Sequence, residues 1–148
     1  MEDDKVMKDS INALDELHKG ACMGVDALSY VLDKVEDENF KKVLEHQYND
    51  YEKIAKEIEE IYPKYNEGEP HKTNIMNKTM TWSSVEMKTM NDQSNSKIAE
   101  LLLTGVNMGI IEGRRILNKK ELNEEVHNVA SEYVTMQENI YDTLKDYL

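Results

Sequence analysis

The stretch PKYNEGEPHKTN (residues 63–74), followed by IMNKTMTWSSVEMKTMNDQSNS (residues 75–96), decides how the rest of the chain can fold. Its first part carries Asn66, Gly68 and Pro70 among charges and reads as a solvated loop. Pro63 cannot donate the next helical hydrogen bond, so the helix before it should finish near Tyr62. Residues 75–118 keep a helical period but exceed one bundle helix. At about 1.5 Å per residue they would reach roughly 65 Å, against roughly 40 Å for the neighbouring segments. The capping residue types at Asn91, Asp92, Gln93, Ser94, Asn95 and Ser96 mark the expected break. A shorter helix over about 75–90 and a main helix over about 95–117 follow.

The first segment before this stretch spans about 4–35. Its apolar row is Met7, Ile11, Leu14, Ala21, Val25, Leu28, Leu32 and Val35, interrupted by His18. A helix over about 37–62 begins at Asp37, a good N-cap, and shows Phe40, Leu44, Gln47, Tyr51, Ile54, Ile58 and Ile61 on one face. The last helix, about 123–148, is capped by Asn123 and buries Val126, Val129, Tyr133, Met136, Ile140 and Leu144. The brief link between the first two helices makes them antiparallel neighbours. Residues 63–94, by contrast, are long enough to cross the whole length of a bundle. The expected fold is a single all-α domain over 1–148, an up-down four-helix bundle with a long crossover carrying an additional shorter helix.

Composition narrows the partners. With 30 acidic and 18 basic residues the net charge is -12, which repels nucleic-acid phosphates and anionic membrane surfaces. No apolar run approaches the roughly 18 residues of a membrane span. Met1-Glu2-Asp3-Asp4 is acidic where a targeting peptide would be basic, so a cytoplasmic protein is the expectation. The one cysteine, Cys22, allows neither an internal disulfide nor a multi-thiolate metal site within the chain, and it reads as a small buried hydrophobe.

Several stretches are similar to a known group. Met80-Thr81-Trp82 through Met90, Ser94-Asn95-Ser96-Lys97-Ile98-Ala99-Glu100-Leu101-Leu102-Leu103 and Gly105-Val106-Asn107-Met108-Gly109-Ile110 resemble uncharacterised bacterial ferritin-like bundle proteins. Lys34-Val35-Glu36-Asp37 fits as well. The resemblance covers nearly the whole chain and is most specific in the third main helix. It implies the ferritin-like fold and no established activity.

A ferritin-like di-iron centre takes a Glu from each of two helices and a Glu-x-x-His from each of the other two. Glu124-x-x-His127 has the spacing, but with Val126 and Val129 inward it faces solvent. His46 falls beside the buried row and Glu100 off the face of Ile98, Leu101 and Gly105. The metal candidates that remain are His18 and Glu112, both on inward positions and at similar height if the crossover holds. They could form a polar network or part of a site for iron or manganese. The bland alternative has His18 as a satisfied core residue and Glu112 reaching the rim.

Met76, Met80, Met87 and Met90 recur at helical spacing near Trp82. Thioethers suit copper(I), yet methionines also fill cores and make adaptable binding faces. Gly20 and Gly24, and Gly105, Gly109 and Gly113, recur every four residues. Each interior glycine costs a helix about 1 kcal/mol relative to alanine. A tight crossing between these two helices, within the bundle or across a dimer, is the simplest offset; a ligand groove is the other. No nucleophile elbow or phosphate-binding glycine loop is present in the sequence.

The leading expectation is a non-catalytic bundle, without cofactor, acting through self-association as a dimer or through a protein partner. A metal-binding or redox protein with a degenerate site is the first alternative. A small apolar-ligand carrier is the second.

Overall fold

A computed structural model describes residues 2–70, 91–119 and 121–148. It contains α1 (Glu2–Leu32), α2 (Glu38–Ile61), a 3-10 turn (Tyr62–Lys64), α3 (Asn95–Lys119) and α4 (Glu124–Lys145). All regular structure among the described residues is helical. No described helix is long and apolar enough to cross a membrane. The shorter helix expected over 75–90, with Met76, Met80, Trp82, Ser83, Met87 and Met90, lies outside the described residues.

Local chemistry sets the helix ends. The Asp37 carboxylate accepts a bond from the Phe40 amide at 3.0 Å, which closes the first turn of α2 and lowers the pKa of Asp37. Pro63 then tightens the chain into the 3-10 turn after Ile61. Asp92 accepts from the Ser94 amide at 2.9 Å, and Ser94 Oγ accepts from the Lys97 amide at 3.2 Å. These two bonds start α3 at Asn95, so helix does not run unbroken from 75 to 118. Asn123 caps α4 by accepting from the Glu125 amide at 3.1 Å.

Two core clusters fix the helix directions. One joins Leu14 and Leu17 of α1, Ile54 and Ile58 of α2, Ile116 of α3 and Val126 and Val129 of α4. The other joins Leu28 and Val31, Phe40 and Leu44, Ile98 and Leu102, and Ile140 and Leu144. The first therefore gathers the N-terminal halves of α1 and α4 with the C-terminal halves of α2 and α3. Polar bonds agree. Ser10 Oγ accepts from the Asn123 amide at 3.0 Å, and the Tyr65 hydroxyl donates to Asn123 at 2.9 Å. At the other end Phe40 and Tyr147 stack with ring centres 4.3 Å apart. Thus α1 runs parallel to α4 and α2 parallel to α3. The end of α2 and the start of α3 lie at opposite ends of the bundle.

The closest pairings are α1 with α2 and α3 with α4, two antiparallel hairpins set side by side. The buried arc of α1 keeps Leu14, His18, Ala21 and Leu28 of the expected row and is broader than it: Ser10, Ala13, Leu17 and Val31 are buried as well, while Met7 is 44% exposed. Ser94, one of the capping types at the expected break, is exposed at the head of α3. This breadth matters for the site, because one edge of the arc meets α2 and the other faces α3.

Candidate functional site

His18 is fully buried, as an inward position requires, but its partner is not Glu112. His18 Nε2 lies 2.8 Å from Glu59 Oε2 on α2. The carboxylate accepts there, so the ring carries its proton on Nε2. Glu112 is exposed and reaches Arg115 at 3.4 Å. The candidate pairing of His18 with Glu112 is not formed, and the alternative of a satisfied core His18 with Glu112 at the rim describes the structure: His18 sits on the edge of α1 that meets α2, while α3 stands across a gap on the other edge.

Cys22 Sγ is 3.7 Å and 3.8 Å from the two His18 ring nitrogens. Near-equal distances put the sulfur in line with neither N–H direction, which is not the alignment of a thiol activated by a base. His46 is exposed beside Asp50 at 3.8 Å, and Glu100, Glu124 and His127 are also exposed. Among the described residues, no three His, Cys, Asp or Glu side chains are arranged to hold a metal ion.

The glycines do something other than form a crossing. A Cβ built on Gly24 would stand 2.5 Å from the Tyr51 ring, and one on Gly113 2.5 Å from Val134 Cγ2. On Gly20 it would strike the Tyr133 hydroxyl, and on Gly109 the Gln137 amide. None of these neighbours belongs to the opposite glycine stripe. The expected tight packing of the α1 stripe on the α3 stripe is thus corrected within the chain. Side chains from α2 and α4 fill the space that the missing Cβ atoms leave. Gly105 is the exception, with nothing within 4 Å of an added Cβ.

Between α1 and α3 this arrangement opens a groove of about 400 Å³. Leu17, Leu28, Leu101, Leu102, Val106 and Ile116 supply much of its apolar wall. Its floor is polar and buried: Gln47 and Tyr51 from α2, Tyr133 and Gln137 from α4. The Tyr51 hydroxyl donates to Gln137 Oε1, and the Gln137 side chain also bonds the Tyr133 hydroxyl. With Oε1 engaged by Tyr51, the amide nitrogen is the donor to Tyr133. Burial pushes the Tyr133 phenol up to about 12; the bond from Gln137 opposes the rise and the Glu112 charge adds to it. Burial likewise raises Tyr51 well above the ordinary value. Both hydroxyls therefore stay protonated near neutrality and the floor is uncharged.

Gln47 stands apart from this network. It is 4% exposed, and its Nε2 has no hydrogen-bond partner among the described residues. The rim carries Glu16, Asp26 and Glu112 against Lys19. Burial raises the Asp26 carboxyl. Met108, beside Gly105 and Gly109 on the α3 wall, is 45% exposed.

Periodicity placed Gln47, Tyr51 and Tyr133 on inward faces but assigned them no joint role. Gln137 and Glu59 escaped it. Gln137 follows Met136, which took the inward place in the periodic row yet is only half-buried. The glycines were the available signal, since a stripe of missing side chains announces a neighbour without naming it.

No family model, no curated protein and no solved structure matches this chain.

Proposed function

We propose that this chain is a non-catalytic, ferritin-like helical bundle that binds a small, mainly apolar molecule in the groove between α1 and α3. The observation that carries this reading is the groove itself, about 400 Å³ of largely apolar space over a buried polar floor. Small-molecule sites occupy roughly 300–1,000 Å³ and combine apolar walls with a few placed polar groups. The glycines supply the reason such a space persists. Four admit the floor side chains and Val134 close to the α1 and α3 backbones, and Gly105 leaves wall area open. The ferritin-like assignment is supported by the common direction of α2 and α3 and by the resemblance of residues 94–110.

The test is titration of the full chain with a neutral solvatochromic dye. A saturable blue shift with one site per chain is expected. A shift that grows linearly, as with nonspecific surface adsorption, counts against the reading.

A second reading, self-association through α3, is favoured by the exposed side chains Met108 and Ile111, 45% and 42% accessible. Light scattering distinguishes it. A dimer that dissociates on Ile111→Glu, a position outside the groove lining, with unchanged dye binding would support association as a separate property of this face.

A further inference from the structure

The groove has one polar feature that its own residues leave unanswered. Gln137 bonds both Tyr51 and Tyr133. Gln47 Nε2, buried in the same wall, donates to nothing among the described residues. A buried donor without an acceptor costs free energy that a bonded one does not. Gln47 lines the groove, so an oxygen seated against its amide there would accept from it. The charges around the groove limit what that oxygen can belong to. Among the described residues, Glu16, Asp26 and Glu112 face it with Lys19 as the single cation, and no cation lines the floor. A carboxylate or phosphate entering would lose its hydration, meet no buried counter-charge, and approach three rim carboxylates.

We infer that the groove selects an uncharged, medium-chain apolar molecule bearing one acceptor oxygen, a hydroxyl or carbonyl, which takes its hydrogen bond from Gln47 Nε2. This rests on the groove being a ligand site, as proposed above. The aliphatic part lies against Leu28, Leu101, Leu102 and Val106, where burial drives binding without regard to head group. Gln47 then separates molecules that share a chain and differ in the head. Plain hydrocarbon leaves the donor unanswered, and a carboxylate answers it only at the cost of burying a charge. Water in the groove would also satisfy Gln47, and in that case hydrocarbon and alcohol of equal length would bind alike.

The experiment is displacement of the neutral dye from the full chain by octanol, octane and octanoate, repeated with Gln47→Met. Octanol is expected to displace dye about five- to tenfold more effectively than octane, the fold-change of one neutral hydrogen bond. Octanoate should be the weakest. In Gln47→Met, with an unchanged thermal midpoint, octanol should fall to the level of octane. Gln47→Leu repeats the comparison should Met disturb packing. Equal displacement by octanol and octane, or a Gln47 variant that keeps the preference, overturns this inference and leaves the groove reading standing. Octanoate binding as tightly as octanol overturns the uncharged class. Failure of the dye to bind at all overturns the groove reading and this inference together.

Discussion

Tyr51 on α2 donates its hydroxyl proton to Gln137 on α4, a bond that spans 86 residues of sequence and lies under the groove between α1 and α3. It ties one hairpin of the bundle to the other where α1 and α3 do not close over it. Tyr51→Phe removes the donor and leaves Gln137 Oε1 buried without its partner. A loss of about 1–3 kcal/mol in unfolding free energy is expected from denaturant titration. The Gln137→Leu single variant should also be destabilised. In the double variant the two losses should be less than additive, because the residues share one interaction.

The glycines separate by what a methyl would meet. Gly24→Ala drives a Cβ into the Tyr51 ring and should cost about 1–3 kcal/mol, the usual penalty for overpacking. Gly105→Ala meets open space and only removes backbone freedom from the unfolded chain. It should stabilise α3 by about 0.5–1 kcal/mol. Opposite signs in thermal unfolding are the expected outcome, and equal signs would contradict the placement of Tyr51.

Alkaline pH should unlock the floor. Tyr133 is held at about 12 by burial, against 10.0 for the free phenol. A folded-state value above the unfolded one stabilises the protein fully below about pH 10 and loses that contribution as pH rises toward about 12. Stability should therefore fall across this window, with Tyr51 adding in the same direction. Tyr133→Phe should make the fall shallower, measured by denaturant midpoints alongside phenolate absorbance.

The partner of His18 can be tested by difference. Glu59→Leu leaves the buried imidazole N–H without its acceptor and should destabilise by about 1–3 kcal/mol. Glu112→Gln, at the exposed rim, should leave stability unchanged. A double-mutant cycle should give coupling for His18 with Glu59 and none for His18 with Glu112.

Much of the frame was legible because it depends on local chemistry. Asp37, Pro63, Ser94 and Asn123 are helix boundaries whatever surrounds them. The length of residues 63–94 was the one sequence sign that α2 and α3 run in the same direction. The site was less legible, since period locates a face on each helix but not that helix's rotation against its neighbours. His18 was rightly inward, yet whether it met Glu59 or Glu112 turned on which edge of α1 faced α2. The five glycines were conspicuous, but the side chains that occupy the space of four of them come from helices other than the two that carry them. Gln137 shows the limit most plainly: a single step along α4 from Met136 separates a half-buried thioether from the centre of the polar floor.

If the groove between α1 and α3 binds an apolar molecule, Gly105→Leu should close it to that molecule. The new side chain has room in the groove, so the variant should fold with a thermal midpoint equal to or above the parent's. By filling the cavity it should weaken dye binding at least tenfold. A variant that folds as well as the parent and binds dye with the same affinity would contradict the claim.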